Sequence, residues 1–252
     1  MKQSKLTNLN MVNNNLIIFE KFHKCFAKQF HYIRSFTCRH RRLTKAQQFA
    51  FENYWQEIGI EFQEQQLDLI TLFGGTSPII LEIGFGTGNS LVKMAKDNPN
   101  HNFIGIEVYK RGIGSCLLSA KKAGITNLRL IYYDAVQVIY RMIPDNALYV
   151  LQLFFPDPWH KVRHNKRRII QKPFIELIMK KLNLGGILHI VTDCEAYVNH
   201  IIQIMNSVHG YSYCSLNNYF INQHKTHLLT KFEQRARILN HNICTLIFER
   251  VR

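Results

Sequence analysis

Two prolines clamp one aspartate in the run Phe154-Phe155-Pro156-Asp157-Pro158-Trp159-His160-Lys161, and five of the eight positions 161–168 are lysine or arginine. Proline fixes φ and aspartate favours turns, so this spacing holds a carboxylate rigidly at the end of whatever element precedes it. A carboxylate so held can stabilise a developing positive charge, and the cationic run beside it can clamp phosphates. Neutralising about four phosphates would give a log-log salt slope of roughly −3. Taken separately, Asp157 is an ordinary turn acid and the basic run a solvated helix face; their adjacency favours chemistry on a polyanion. Trp159 reads as a core anchor in preference to a stacking surface.

A second constellation lies upstream, where the apolar run 79–83 leads into Gly84-Phe85-Gly86-Thr87-Gly88. Glycines at Gly84, Gly86 and Gly88 let the backbone turn tightly and approach a ligand, and the helix that follows favours an anionic group at its amino terminus. Acids fall at the ends of neighbouring apolar runs: Glu82 in the first, Glu107 closing the second, Asp134 just past the third. Glu107 is placed to accept hydrogen bonds from ribose hydroxyls, and Asp134 to reach an adenine amino group. A dinucleotide would place its pyrophosphate badly among further carboxylates, whereas a cationic adenosyl sulfonium tolerates them. S-adenosylmethionine is therefore favoured over NAD.

The elements that must position these residues follow from periodicity. Thr44 with Gln47 three residues on makes a capping box, opening a helix near Lys45 that ends before Gly59. Beyond Gly74-Gly75, strands are expected at 79–83, 103–108, 128–132, 148–155 and 187–192, alternating with helices at 89–97, 111–123, 135–142, 172–182 and 195–207. These βα repeats predict an α/β, Rossmann-like, doubly wound and mostly parallel sheet with helices on both faces. The chain from Tyr211 onward can add closing strands, antiparallel at an edge. Residues 1–33 show no clean period and read as a flexible extension; residues 34–75 form a basic arm and helix at the start of a catalytic domain spanning 34–252.

Composition sets the class. The 252 residues are 46% apolar and 19% charged, ordinary for a globular protein, and 32 Lys+Arg against 17 Asp+Glu give a formal charge of +15. Such an excess points to a polyanionic partner, and no apolar run approaches the ~20 residues of a membrane span. The amino terminus shows no long apolar h-region or small-residue cleavage site, so no secretory export is expected, and the six cysteines form no C-x-x-C pair, so reduced thiols in a cytoplasmic protein are expected, with no metal site. His160 and His164 stand four apart but lack a third ligand.

With LEIGFGTGNS (81–90), FFPDPWHKVRHNKRR (154–168), Thr192-Asp193 and TKFEQR (230–235), the chain resembles the bacterial tRNA (guanine-N7-)-methyltransferase family from about Arg34 to its end. The resemblance implies a class I, S-adenosylmethionine-dependent methyltransferase acting on guanine 46 in the tRNA variable loop. It also implies cofactor contacts at Glu82, Glu107, Asp134 and Asp157, with Asp157 catalytic as well. Lys161, Asp193, Thr230, Lys231, Phe232 and Glu233 match positions that hold the substrate guanine. Arg163, His164, Asn165, Lys166, Arg167 and Arg168 match an RNA-contacting strip. Ala236 stands where the family commonly has glycine, which stiffens that turn. A monomer or homodimer is expected. Rival readings are an adenine-N6 nucleic-acid methyltransferase, whose loops run D-P-P-W where this one runs P-D-P-W, a non-catalytic RNA-binding protein on the same fold, and, more remotely, a dehydrogenase.

Overall fold

The computed structural model describes residues 33–37, 42–214 and 242–252. The 1–32 leader, the middle of the basic arm, and Thr230, Lys231, Phe232, Glu233 and Ala236 lie outside the described residues. The chain begins with α1 (Lys45–Ile58), β1 (Gly59–Ile60) and α2 (Leu69–Phe73), then β2 (Ile79–Ile83), α3 (Asn89–Asp97), β3 (Asn102–Glu107), α4 (Lys110–Ala123), β4 (Leu128–Tyr132) and α5 (Ala135–Arg141). It continues with β5 (Leu148–Phe154), a 3-10 helix (Val162–Arg167), α6 (Lys172–Lys181), β6 (Leu182–Thr192), α7 (Glu195–Asn206), β7 (Tyr211–Tyr213) and β8 (Cys244–Arg250).

Every residue of β2 and β3 is buried, the pattern of strands covered on both faces. The strands form one sheet in the order β1-β4-β3-β2-β5-β6-β8-β7. Neighbours from β1 to β6 run parallel, and β8 alone runs antiparallel, pairing with both β6 and β7. The Rossmann-like expectation holds, including the antiparallel edge. Because β3 and β5 flank β2 on opposite sides, the winding reverses at β2, and the crevice at its carboxyl end is where open α/β sheets bind ligands.

Two apolar layers sandwich the sheet. Helices α1, α3 and α4 cover one face through Ala50, Leu91, Ile113 and Leu117; α5, α6 and α7 cover the other through Ile139, Ile175, Ile178 and Tyr197. The strand expected at 187–192 begins five residues earlier, since Leu182 pairs with Leu148 before a register shift brings Ile187 opposite Val150. The intervening Asn183, Gly185 and Gly186, which the sequence left unassigned between helix and strand, bulge within a continuous strand.

Helix α1 carries the capping box in full. Gln47 N–H donates to Thr44 Oγ1 at 3.2 Å and Thr44 N–H to Gln47 Oε1 at 3.0 Å. The same buried Gln47 reaches α4, its Nε2 donating to the Arg111 carbonyl at 3.2 Å and to Ser115 Oγ at 3.0 Å. Gly114 makes this docking possible, because a Cβ on it would stand 2.8 Å from the Gln47 Cβ. Gly114→Val should therefore force α1 off α4 and lower stability by about 1–3 kcal/mol. Urea unfolding measures this, and an unchanged midpoint would mean that the two helices have slack at their contact.

Candidate active site

The glycine turn after β2 is built on left-handed backbone, with φ of 74° at Gly84, 60° at Gly86 and 75° at Gly88, the last being the residue that caps α3. At Gly84 and Gly86 an added Cβ would meet nothing within 4 Å, so the turn faces open space. Behind it the packing is tight: a Cβ at Gly112 of α4 would lie 2.0 Å from the Gly86 carbonyl oxygen. Helix α4 thus braces the turn from below while its upper side stays clear for a ligand.

Glu107, at the tip of β3, is drawn into this turn. Its Oε2 accepts from Gly86 N–H at 2.8 Å, and its Oε1 from Val108 N–H at 2.7 Å and Tyr109 N–H at 2.9 Å. Burial pushes its carboxyl upward, the three backbone donors pull it back, and the Asp157 charge adds to the rise. Glu82 is still deeper. Burial, and then the Glu107 charge, push its carboxyl up to about 8, and its Oε2 has no hydrogen-bond partner. In the sheet it sits between Gly105, which has no side chain, and Gln152, whose Oε1 is likewise unpartnered.

Asp134 caps α5, accepting from Val136 N–H at 2.8 Å and Gln137 N–H at 3.5 Å, and is 1% exposed. Its neighbours Tyr133 and Ala135 line the site cavity. Asp157 is exposed at the end of the loop after β5. The loop is held by its backbone: Phe155 N–H donates to the Val191 carbonyl at 2.7 Å and Arg168 Nε to the Pro158 carbonyl at 2.8 Å. Phe155 and Trp159 bracket Asp157 at φ of 49° and 46°, a left-handed conformation that costs a non-glycine residue of order 1–3 kcal/mol.

These pieces enclose a cavity of about 530 Å³ lined by Gly84, Gly86, Glu107, Tyr109, Tyr133 and Asp157, with apolar walls from Ile83, Ile106, Leu153 and Phe154. Its size and lining, mostly apolar with a few convergent polar groups, suit a nucleoside-sized ligand. The acids suit a cationic one, and S-adenosylmethionine fits on both counts. Glu82 and Asp134 lie behind the wall, each next to residues that line it. Ser35, Phe36 and Thr37 also contribute to the wall. Nothing in the sequence marked them as site residues, because they meet the Asp157 loop from a separation of 124 residues between Ser35 and Trp159, with no charge or glycine signal of their own.

The basic run folds as the 3-10 helix Val162–Arg167, which splits its cations into two groups. Lys161, Arg163 and Lys166 are exposed. Arg168 is not on this outer strip, contrary to the sequence expectation: it is 5% exposed, bonded to Pro158 and set 5.0 Å from the Tyr197 ring centroid. Arg167 is half-buried and its guanidinium lies 3.8 Å from the Trp159 ring centroid. Desolvation and the surrounding cations Arg163, Arg167, Lys161 and Lys166 hold His164 below its ordinary value.

Asp193 is half-buried just past β6, whose end pairs with β5, so it and Asp157 follow adjacent strand tips. His160 reaches over from the Asp157 loop, its Nδ1 4.0 Å from Cys194 Sγ. Lys161 and Asp193 stand outside the cavity wall. Among the described residues no group of three His, Cys, Asp or Glu is placed to hold a metal, and no helix is long and apolar enough to cross a membrane.

A family model described as a putative methyltransferase matches residues 76–246. The tRNA (guanine-N(7)-)-methyltransferase of Salmonella typhimurium strain LT2 is 54% identical over 220 residues, covering 87% of this chain and 92% of that relative. The enzyme of the same name from Escherichia coli O6:K15:H31 matches with the same identity and coverage. Among solved structures, the 16S rRNA methyltransferase KamB aligns with a TM-score of 0.53 at 14% identity, over 77% of this chain and 97% of that one. The aminoglycoside resistance methyltransferase NpmB1 aligns at 0.50 and 14%, over 75% and 95%. Both are likenesses of fold.

The buried acids carry a pH signature. For Glu82 the native state holds a proton between the ordinary carboxyl value of 4.5 and about 8, whereas the unfolded chain has lost it. Stability therefore falls as pH rises through that window and levels off above it, with Glu107 acting in the same direction. The melting temperature of the ligand-free protein should drop by several degrees between pH 5 and pH 9, and Glu82→Gln, neutral at every pH, should flatten the profile. Calorimetry showing the same slope in both proteins would remove Glu82 as its source.

Proposed function

The chain belongs to the tRNA (guanine-N(7)-)-methyltransferase family, and from that membership we propose that it transfers a methyl group from S-adenosylmethionine to N7 of guanine 46 in the tRNA variable loop. The observation that carries the reading is the set of carboxylates at the carboxyl edge of the sheet, three of them buried, immediately beside an exposed cationic strip. A sulfonium is welcome among acids, and a polyanion is welcome on the strip.

Bound in the cavity, S-adenosylmethionine supplies an electrophilic methyl on a positively charged sulfur. Glu107 keeps acceptor capacity on Oε2 for the ribose hydroxyls while its other oxygen is anchored by Val108 and Tyr109. Glu82, protonated in the empty cavity, would ionise beside the cationic donor and then add negative potential from behind the wall. Asp134, fixed by its capping bonds, sits at the edge where the adenine amino group is expected. Gly84 and Gly86 let the backbone approach closely.

Guanine N7 offers a free lone pair and carries no proton, so the chain needs to align the base more than to deprotonate it. As N7 takes the methyl, the purine becomes cationic, and Asp157 provides a fixed negative charge for it. Lys161 and Asp193, together with Thr230, Lys231, Phe232 and Glu233, hold the guanine. Arg163, His164, Asn165 and Lys166 meet the RNA backbone. The reaction belongs in the cytoplasm, where tRNA is found. The adenine-N6 alternative is disfavoured by the P-D-P-W order and by the named activity of the relatives; a non-catalytic binder has no use for buried acids beside its phosphate contacts.

Unmodified tRNA incubated with labelled donor should yield 7-methylguanosine alone, mapped by nuclease digestion and mass spectrometry to the variable loop; label on adenine would replace this reading. Asp157→Ala should lower kcat by roughly 10²–10³ with cofactor affinity changed only a few-fold, and wild-type turnover would exclude Asp157 from the chemistry. Lys166→Ala should weaken tRNA binding and reduce the log-log salt slope by roughly one, read by filter binding across salt concentrations.

A further inference from the structure

Arg167 lies in the basic run, where it would be taken for another phosphate contact. Its side chain is engaged elsewhere. Nε donates to the Arg34 carbonyl at 3.2 Å and Nη2 to the Phe36 carbonyl at 3.3 Å, while the guanidinium plane lies over the Trp159 indole at 3.8 Å from its centroid. The indole makes the third attachment, Nε1 donating to the Ser35 carbonyl at 2.9 Å. Three consecutive carbonyls of residues 34–36 are thus held by two side chains from the Asp157 loop and the helix after it.

The segment held in this way is a wall of the cavity, since Ser35, Phe36 and Thr37 all line it. The same stretch of chain is pinned further on, where Gln47 of α1 bonds to Arg111 and Ser115 of α4. Helix α4 follows the strand that carries Glu107, whereas Trp159 and Arg167 follow the strand that leads to Asp157. Residues 34–36 are therefore fixed to the catalytic loop, and Gln47 further along the chain to the cofactor-binding half.

We propose that Arg167, stacked on Trp159, is a positioning residue for cofactor binding that holds residues 35–37 as the outer wall of the cavity. This rests on the reading that the cavity takes S-adenosylmethionine. A lysine at 167 keeps the positive charge and its attraction for phosphate but loses the planar two-pronged donor and most of the stacking. Replacement by lysine therefore separates a latch from a phosphate contact.

The test is titration calorimetry with S-adenosylhomocysteine and no RNA, on the full-length wild type, Arg167→Lys, Trp159→Phe and, as the contrasting change, Arg163→Ala. Arg167→Lys should weaken S-adenosylhomocysteine by about 5–20-fold, the loss expected when one wall of a site must be ordered on binding. Its affinity for tRNA and the salt slope of that affinity should stay close to wild type. Trp159→Phe, which keeps a ring and removes one donor, should shift the cofactor affinity in the same direction by less. Arg163→Ala should weaken tRNA and leave the homocysteine nucleoside unchanged. Hydrogen exchange supplies a readout that a merely structural role would not move: S-adenosylhomocysteine should slow exchange at residues 34–37 in the wild type and fail to do so in Arg167→Lys. Unaltered cofactor affinity in Arg167→Lys, or a reduced salt slope with tRNA, overturns the proposal; a wild type that binds no S-adenosylhomocysteine overturns the reading of the cavity itself.

Discussion

The site depends on the cost of crowding carboxylates into the carboxyl edge of an apolar sheet. Glu82 and Glu107 are both buried, the Glu107 charge raises Glu82 and the Asp157 charge raises Glu107, and none of the groups that shift either one is a cation. Taking a charge out of water without a partner is among the most expensive acts in a protein, so such a group either finds donors or gives up its charge. This chain does both. Glu107 takes three backbone N–H groups, which is possible only because the glycine turn carries Gly86 N–H to within 2.8 Å of it. Glu82 has no such help and retains its proton.

On the proposed reading, that tension makes the site selective by charge. A pyrophosphate laid along the glycine turn would add anionic charge to acids already under strain, whereas a sulfonium relieves it and favours ionisation of Glu82. Helix α4 has to press the turn into place for this to work, and the closeness of Gly112 to the Gly86 carbonyl is the physical contact that does so. The cations are kept apart from these acids. Lys161, Arg163 and Lys166 face solvent on the 3-10 helix, so their field can draw a polyanion to the cavity mouth without neutralising the carboxylates behind it.

Much of this was legible in the sequence, and the exceptions have physical reasons. Strands covered on both faces are largely apolar runs, so β2, β4 and β5 could be bounded to within a residue. The two-residue β1 and five-residue α2 are too short to show a period, and β6 was shortened because the polar and glycine residues 183–186 break its apolar run. The acids at the strand tips were found because topology converges them. The inward turn of Arg168 was missed because a run of cations has no apolar marker to reveal which side of a 3-10 helix is buried. The wall at residues 35–37 uses main-chain carbonyls, which every residue possesses, so no side-chain pattern could announce it.

The left-handed backbone at Phe155 and Trp159 ties these themes together. Both residues depart from their preferred conformation at the same loop, one before and one after Asp157, and each is held by a hydrogen bond to a different part of the fold: Phe155 to β6 and Trp159 to the amino-terminal segment. A loop free to relax would shed that strain and let Asp157 wander. N7 methylation calls for no proton transfer, so little is left for the protein to contribute beyond fixing one negative charge at the right place against the base. On the role proposed for Asp157, that strain is the cost of holding its backbone in place, and the segment that lines the cavity is bonded to the same loop through Trp159.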